Sequence, residues 1–227
     1  MFNYLINLFF PKVCAGCHTV LVTNETVLCT SCRHEMPLTQ YHLDPKNEAV
    51  KKFYGKIEIE HASALLYFNK KGIVQELIHN LKYKGHEEIG FVLGNWYVED
   101  LKELNLEIPF DFVVPVPLHP KKLKERGYNQ VTTFGKTLSK GLNIPYNDST
   151  LYRKIYSKTQ SKKNLSGRSD NIENIFDVIS TEDLQNKHFL IVDDVLTTGA
   201  TLEACSRALL KIPGTKISIV CMAIANS

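Results

Sequence analysis

Between Ala62 and Ala225 short apolar runs alternate with stretches whose apolar residues recur every three or four positions. Strict alternation at Ala62, Ala64, Leu66 and Phe68 predicts a strand, and Ile73, Leu77, Ile78 and Leu81 predict a helix that ends near Gly85. A second helix is expected from Glu87 to Leu104, a buried strand from Phe110 to Val116, and a helix from Asn129 to Leu142. Leu151 to Lys154 reads as a short extended piece, Leu202 to Lys211 as a helix and Lys216 to Ala225 as the last strand. Phe189 to Val192 is too uniformly apolar for a half-exposed strand and suits one covered by helices on both faces. Strands that alternate with helices predict an α/β fold with a parallel, doubly wound sheet. The pattern leaves the strand order open.

At 227 residues and 44% hydrophobic content, the chain can bury one full core with a small appendage left over. Tyr41 to Lys56 is polar and patternless, with Pro45 and Gly55 as breakers, and is expected to be a linker. It separates an N-terminal module, residues 1–40, from a main domain, residues 57–227. Phe2 to Phe10 is apolar but stops at Pro11, and its nine residues fall well short of the roughly twenty that span a bilayer. A short helix packed beside the N-terminal module is the expected role, since the segment lacks the basic face of a membrane-surface helix. With no transmembrane segment and no secretion signal, a soluble, cytoplasmic protein is expected.

Within the N-terminal module, Cys14-x-x-Cys17 and Cys29-x-x-Cys32 form two thiol pairs with eleven residues between them. Each pair can offer two thiolates from one tight turn, and two turns complete the tetrahedral four-sulfur shell of structural zinc. Such a closed shell has no place for an activated water, so the expected metal holds the segment together without doing chemistry. Two disulfides are the alternative, and the missing secretion signal argues against them. His18 and His34 flank the pairs as further potential ligands, while Cys205 and Cys221 stand alone in predicted core elements.

The net charge of +3 conceals an uneven distribution. Between Pro117 and Asn171 twelve Lys or Arg face only three acids, so this quarter of the chain is strongly basic and the remainder acidic. Some of these cations are ordinary solvated lysines, Lys136 and Lys140 among them. Eight of the twelve fall in Pro117 to Gly127 and Tyr156 to Asn171, segments expected to be irregular and to follow strands, where binding groups collect. Polyanions are their natural partners.

The most informative string is Phe189 to Thr201, Phe-Leu-Ile-Val-Asp-Asp-Val-Leu-Thr-Thr-Gly-Ala-Thr. Ligands of parallel sheets sit beyond the carboxyl ends of the strands. There Thr197, Thr198, Gly199, Ala200 and Thr201 combine small side chains with hydroxyls at the start of a helix, which suits a phosphate. Asp193 and Asp194 would repel that phosphate and instead suit sugar hydroxyls, or a neighbour that carries a metal. Together they describe a site for ribose 5-phosphate. The string resembles the phosphoribosyl pyrophosphate signature of type I phosphoribosyltransferases. That resemblance implies that Asp193 and Asp194 hold the ribose 2′ and 3′ hydroxyls and that Thr197 to Thr201 cradle the 5′-phosphate. It also implies a five-stranded parallel sheet with a hood at its carboxyl edge.

A second stretch narrows the family. Pro115-Val-Pro-Leu-His-Pro120, a basic run and Arg126-Gly-Tyr-Asn-Gln130, together with Lys82-Tyr83-x-Gly85 and the N-terminal thiol pairs, are similar to the ComF/GntX competence proteins. The likeness implies that Arg126, supported by Lys121, Lys122 and Lys124, meets pyrophosphate, and that Thr159, Gln160, Lys162, Lys163 and Arg168 belong to a flexible hood. The chemistry it implies is transfer of ribose 5-phosphate from phosphoribosyl pyrophosphate, with magnesium and these cations stabilising the departing pyrophosphate. Relatives that salvage 6-oxopurines carry an aspartate where this chain has Thr197, which argues against that activity. His119, between Leu118 and Pro120, reads as structural rather than as a general base. Two roles stay open: a transferase acting on an unidentified acceptor, and a non-catalytic sugar-phosphate or nucleotide-binding module. The second would bind single-stranded DNA or serve the DNA-uptake machinery, with Tyr128, Tyr152 and Tyr156 as the aromatics for base stacking.

Overall fold

A computed structural model of the chain describes residues 10–104, 109–154, 175–179 and 181–225. Four parallel strands form the central sheet in the order β1 (His61–Phe68), β6 (Lys216–Ala225), β5 (His188–Leu196), β2 (Phe112–Pro115). The two longest apolar runs occupy the middle, because a strand covered on both faces needs apolar side chains on both. Accordingly β6 is buried from Ile217 to Ile224 and β5 from His188 to Val192. The fifth position of the expected sheet is reduced to a single bridge. Val113 donates to Pro145 O at 2.9 Å and accepts from Asn147 N at 2.8 Å, and Pro145, having no N–H, cannot continue a ladder.

One face of the sheet is covered by α3 (Ile73–Tyr83), α4 (Glu88–Lys102) and α6 (Thr132–Leu142). The other is covered by α7 (Ala200–Leu209) and by an antiparallel pair, β3 (Leu151–Arg153) with β4 (Phe176–Val178). Each helix presents its apolar stripe inward: Val74, Leu77, Ile78 and Leu81 of α3 are all buried. Cys205 and Cys221 are core residues, each with no exposed surface. The basic stretch before Gly127, expected to be irregular, is instead a short helix, α5 (Pro120–Arg126). Proline at its first position is preorganised for a helix start, and the His119 Nδ1 accepts from Lys121 N at 3.1 Å as its cap. His119 is thus structural.

The segment expected to be a patternless linker is ordered. Just before it, residues 37–39 at the end of the N-terminal module run along the outer edge of β1, where Tyr67 N donates to Pro37 O at 2.8 Å and Thr39 N to Leu65 O at 3.0 Å. This covers an edge that would otherwise expose unpaired backbone groups, and it explains why β1 is buried on both faces from His61 to Leu66 although it ends the sheet. Asn47 is almost fully buried and caps α2 (Glu48–Lys51) through Oδ1, while its Nδ2 donates to Tyr41 O, Asp44 O and Ala62 O. Tyr41, Ala49 and Phe53 then join the core of the α7 face. Polar residues mislead here because their hydrogen bonds close on backbone.

The second cysteine pair opens α1 (Thr30–His34), with Cys29 as its cap and Cys32 within it, and Cys14, Ala15, Leu28, Cys29, Cys32 and Met36 share one core with the α3–α4–α6 face. No helix among the described residues is long and apolar enough to cross a membrane. The apolar N-terminal segment lies outside the described residues, apart from exposed Phe10, and so does the whole expected hood, Thr159, Gln160, Lys162, Lys163 and Arg168 included.

Candidate functional site

Strand β5 extends through both carboxylates to Leu196, so Asp193 and Asp194 follow the alternation of the strand and leave it on opposite faces. Asp194 points toward α3 and α6, where Lys82 donates from Nζ to Oδ1 at 2.8 Å and Gln130 donates from Nε2 to Oδ2 at 2.6 Å. The side chains of Lys82 and Asp194 are only 22% and 8% exposed, so this is a nearly buried ion pair whose carboxylate is held on both oxygens. Arg126 donates to Gln130 Oε1 at 2.6 Å, and its guanidinium lies 5.0 Å from the centroid of the Tyr83 ring. Three separate sequence elements, Lys82-Tyr83, Arg126-to-Gln130 and the aspartate pair, therefore meet at one point.

Asp193 has a different environment. It faces the α7 side, with Cys205 and Cys221 as buried neighbours, and its Oδ1 accepts from Asp194 N at 2.8 Å. Burial, and then the adjacent Asp194 charge, push its carboxyl up to about 8. The two aspartates are thus unequal: one is fixed in an ion pair and the other keeps a proton near neutral pH.

Beyond β5 the chain turns through Thr197 and Thr198, both exposed, into Gly199, which opens α7 with φ +83°. A Cβ there would be strained by that angle and would sit 3.2 Å from the Phe53 ring. Glycine is required on both counts. The ten-residue α7 that follows directs its N-terminus toward the same carboxyl edge of the sheet as the aspartates. Ala200 and Thr201 form its first turn.

Next to the Lys82–Asp194 pair lies a cavity of about 280 Å³ lined by three cations, Lys82, Lys122 and Arg126, one acid, Glu125, and Tyr83, Gly85 and Tyr128. Of the four cations expected at a pyrophosphate loop, the structure brings Arg126 and Lys122 to this cavity. Lys121 and Lys124 are exposed on α5 and lie outside its lining, with Lys121 Nζ 3.9 Å from Glu125. Tyr128, expected as a stacking aromatic, instead donates its hydroxyl to Leu81 O. Tyr152 is 41% exposed, and Tyr156 lies outside the described residues. Sequence reasoning did not assign Lys82, Tyr83 and Gln130 a place in the site, although all three stood in the quoted motifs. Their signal was polar residues at the end of an amphipathic helix, which local pattern alone cannot direct toward a partner 112 residues away.

In the N-terminal module the four thiol sulfurs of Cys14, Cys17, Cys29 and Cys32 lie within 4.8 Å of one another. The Cys14 Sγ accepts from Gly16 N and Cys29 N, and the Cys29 Sγ from Cys32 N, an arrangement that stabilises thiolates in metal knuckles. The cluster is compatible with structural zinc. His18 is turned away to Glu76, 3.1 Å from its carboxylate.

Residues 132–227 match the phosphoribosyl transferase domain. The whole chain is 32% identical over 225 residues to competence protein F of Haemophilus influenzae, covering 93% of this chain and 96% of that one. It is 26% identical over 217 residues to the DNA utilization protein YhgH of Escherichia coli, covering 92% and 89% respectively. It is also 26% identical over 203 residues to competence protein ComFC of Bacillus subtilis, covering 84% and 81%. A parallel sheet carrying this aspartate pair, a four-cysteine cluster joined to it, and likeness along nearly the full length make the chain a member of the ComF family of competence proteins, with a phosphoribosyltransferase-type fold.

Proposed function

We propose that this protein binds phosphoribosyl pyrophosphate at the carboxyl edge of the sheet and transfers its ribose 5-phosphate to an acceptor, in the service of natural competence and DNA uptake. The observation that carries this reading is the convergence of Asp194, Lys82, Gln130 and Arg126 beside a basic cavity, one strand-end away from the Gly199 turn. In this reading Asp193 and Asp194 take the ribose hydroxyls. Thr197 to Thr201 and the α7 N-terminus take the 5′-phosphate. Arg126 and Lys122, with Lys121 and Lys124 as more distant charge, take pyrophosphate, and Thr159, Gln160, Lys162, Lys163 and Arg168 of the expected hood would close over it. Lys82 is added to this set by its position.

In the reaction the bond from C1′ to the pyrophosphate oxygen breaks, the bonding pair leaves with pyrophosphate, and the acceptor's nucleophilic atom bonds to C1′. Arg126 and Lys122 stabilise the charge that grows on the departing oxygens, an effect strongest when the donors are already in place. Magnesium, when bound with the substrate, would supply further charge neutralisation there. Zinc in the four-cysteine cluster would be structural, with all positions filled by sulfur. The test is incubation with labelled phosphoribosyl pyrophosphate, magnesium and a panel of bases, following pyrophosphate release. Base-dependent turnover is the expected result, and failure to bind the labelled donor overturns the reading.

A second reading is favoured by one observation. Tyr83 is 66% exposed beneath the Arg126 guanidinium and next to Lys122, a cation and aromatic surface of the kind that holds single-stranded nucleic acid. In that case the sugar-phosphate site is a sensor within a non-catalytic DNA-binding module. Tight donor binding without turnover, together with oligonucleotide affinity that falls steeply with salt, would select it.

A further inference from the structure

Helix α3 touches the cysteine module with one face and the aspartate site with one end. Ile73, Glu76 and Asn80 are spaced three and four apart and therefore share a stripe. Each meets the first cysteine turn. A Cβ on Gly16 would come within 2.8 Å of Ile73, the His18 imidazole lies 3.1 Å from Glu76, and Asn80 donates from Nδ2 to Ala15 O at 2.7 Å. Asn80 is 2% exposed, so this bond is made away from water. The next three residues turn to the site. Leu81 O accepts from the Tyr128 hydroxyl, Lys82 is paired with Asp194, and the Tyr83 ring lies beneath Arg126.

We propose that the last turn of α3 is a positioning element of the aspartate site, in which Asn80 anchors the turn to the cysteine cluster so that Lys82 is held on Asp194. The cluster then supports the distant site mechanically, and Asn80 and Lys82 are its positioning residues. The physical reason lies in adjacency. A rigid helix whose neighbouring residues are clamped to two bodies cannot shift at one without moving at the other, and Lys82 has little freedom of its own because its partner's carboxylate is fixed on both oxygens.

The sugar reading of the site is assumed only in the first half of the test. In the full-length, metal-loaded protein, titration calorimetry with ribose 5-phosphate should show affinity reduced about tenfold in Asn80→Leu and about thirtyfold in Lys82→Met, with Lys82→Arg recovering most of the loss. The double variant Asn80→Leu with Lys82→Met should be no weaker than Lys82→Met alone, since Asn80 acts through Lys82. Additive losses, or unchanged affinity in either single variant, overturn the proposal. The second half uses no sugar. Acetylation of Lys82 by acetic anhydride, read by mass spectrometry against Lys122 in the same protein, should be slow in the wild type. It should rise severalfold in Asn80→Leu and in wild-type protein stripped of metal by a chelator. If ribose 5-phosphate fails to bind but this labelling pattern appears, the sugar reading fails and the linkage stands. If labelling of Lys82 is unchanged by chelation and by Asn80→Leu, the linkage fails.

Discussion

Adjacent aspartates on a strand are placed by the backbone into unlike surroundings, and in this protein that difference separates their chemistry. Asp194 is held by an ammonium and an amide, while Asp193, partly buried and beside a like charge, is pushed up to about 8. In the unfolded chain the same carboxyl titrates near 4. Between these values the folded protein keeps a proton that the unfolded chain has lost, so this group's contribution to stability is complete below about pH 4 and falls as the pH rises to about 8. Asp193→Asn removes that loss. Melting curves across pH should show the variant equal to or below the wild type at pH 4 and gaining on it steadily up to pH 8. Replacing both residues, Asp193→Asn with Asp194→Asn, should abolish calorimetric binding of ribose 5-phosphate. Lys82→Met leaves the Asp194 carboxylate nearly buried without its counter-ion and is expected to cost about 3 kcal/mol in denaturant unfolding. Lys82 and Gln130 were visible as residues but not as partners. Their meeting with Asp194 closes loops of 112 and 64 residues, far beyond the reach of helical or strand periodicity.

At the level of elements, apolar period and length predicted most of what forms. The last strand is found as expected at Lys216–Ala225, and the helix expected at Glu87 to Leu104 is Glu88–Lys102. Departures occur where polar residues are used locally. Asn47 caps α2 and bonds three carbonyls, and His119 caps α5, so both segments are ordered without an apolar stripe of their own. Gly199 shows how a turn depends on its neighbour across the fold, since the space it leaves is taken by Phe53 from the expected linker. Gly199→Ala should cost about 1–2 kcal/mol from the left-handed backbone alone, lowering the melting temperature by several degrees, and should weaken phosphate binding at the α7 N-terminus. Phe53→Ala should cost about 3–5 kcal/mol by opening a cavity under the same turn.

On the scale of the whole molecule, the cysteine module does not stand apart. Its buried cysteines share a core with Leu77, Leu81 and Leu93 of the main sheet's helices, and its last residues cover the edge of β1. Removing metal should therefore destabilise the main body as well. Calorimetric melting of the intact chain is expected to give a single transition that moves down as a unit on chelation or in Cys29→Ser, whereas two separable transitions would show that module and body unfold independently.

Sequence alone was enough for the α/β class, the parallel sheet, the pairing of thiols into a metal-compatible set and the aspartate string with the glycine turn that follows it. These are encoded locally, in apolar period, ligand spacing and a continuous motif. Tertiary structure decided which cations reach the cavity, that the two aspartates face opposite ways, that the end of the N-terminal module seals the sheet edge, and that one helix joins the cysteine cluster to Asp194. Those features depend on contacts between residues far apart in the chain, and such contacts exist only once burial has brought the elements together.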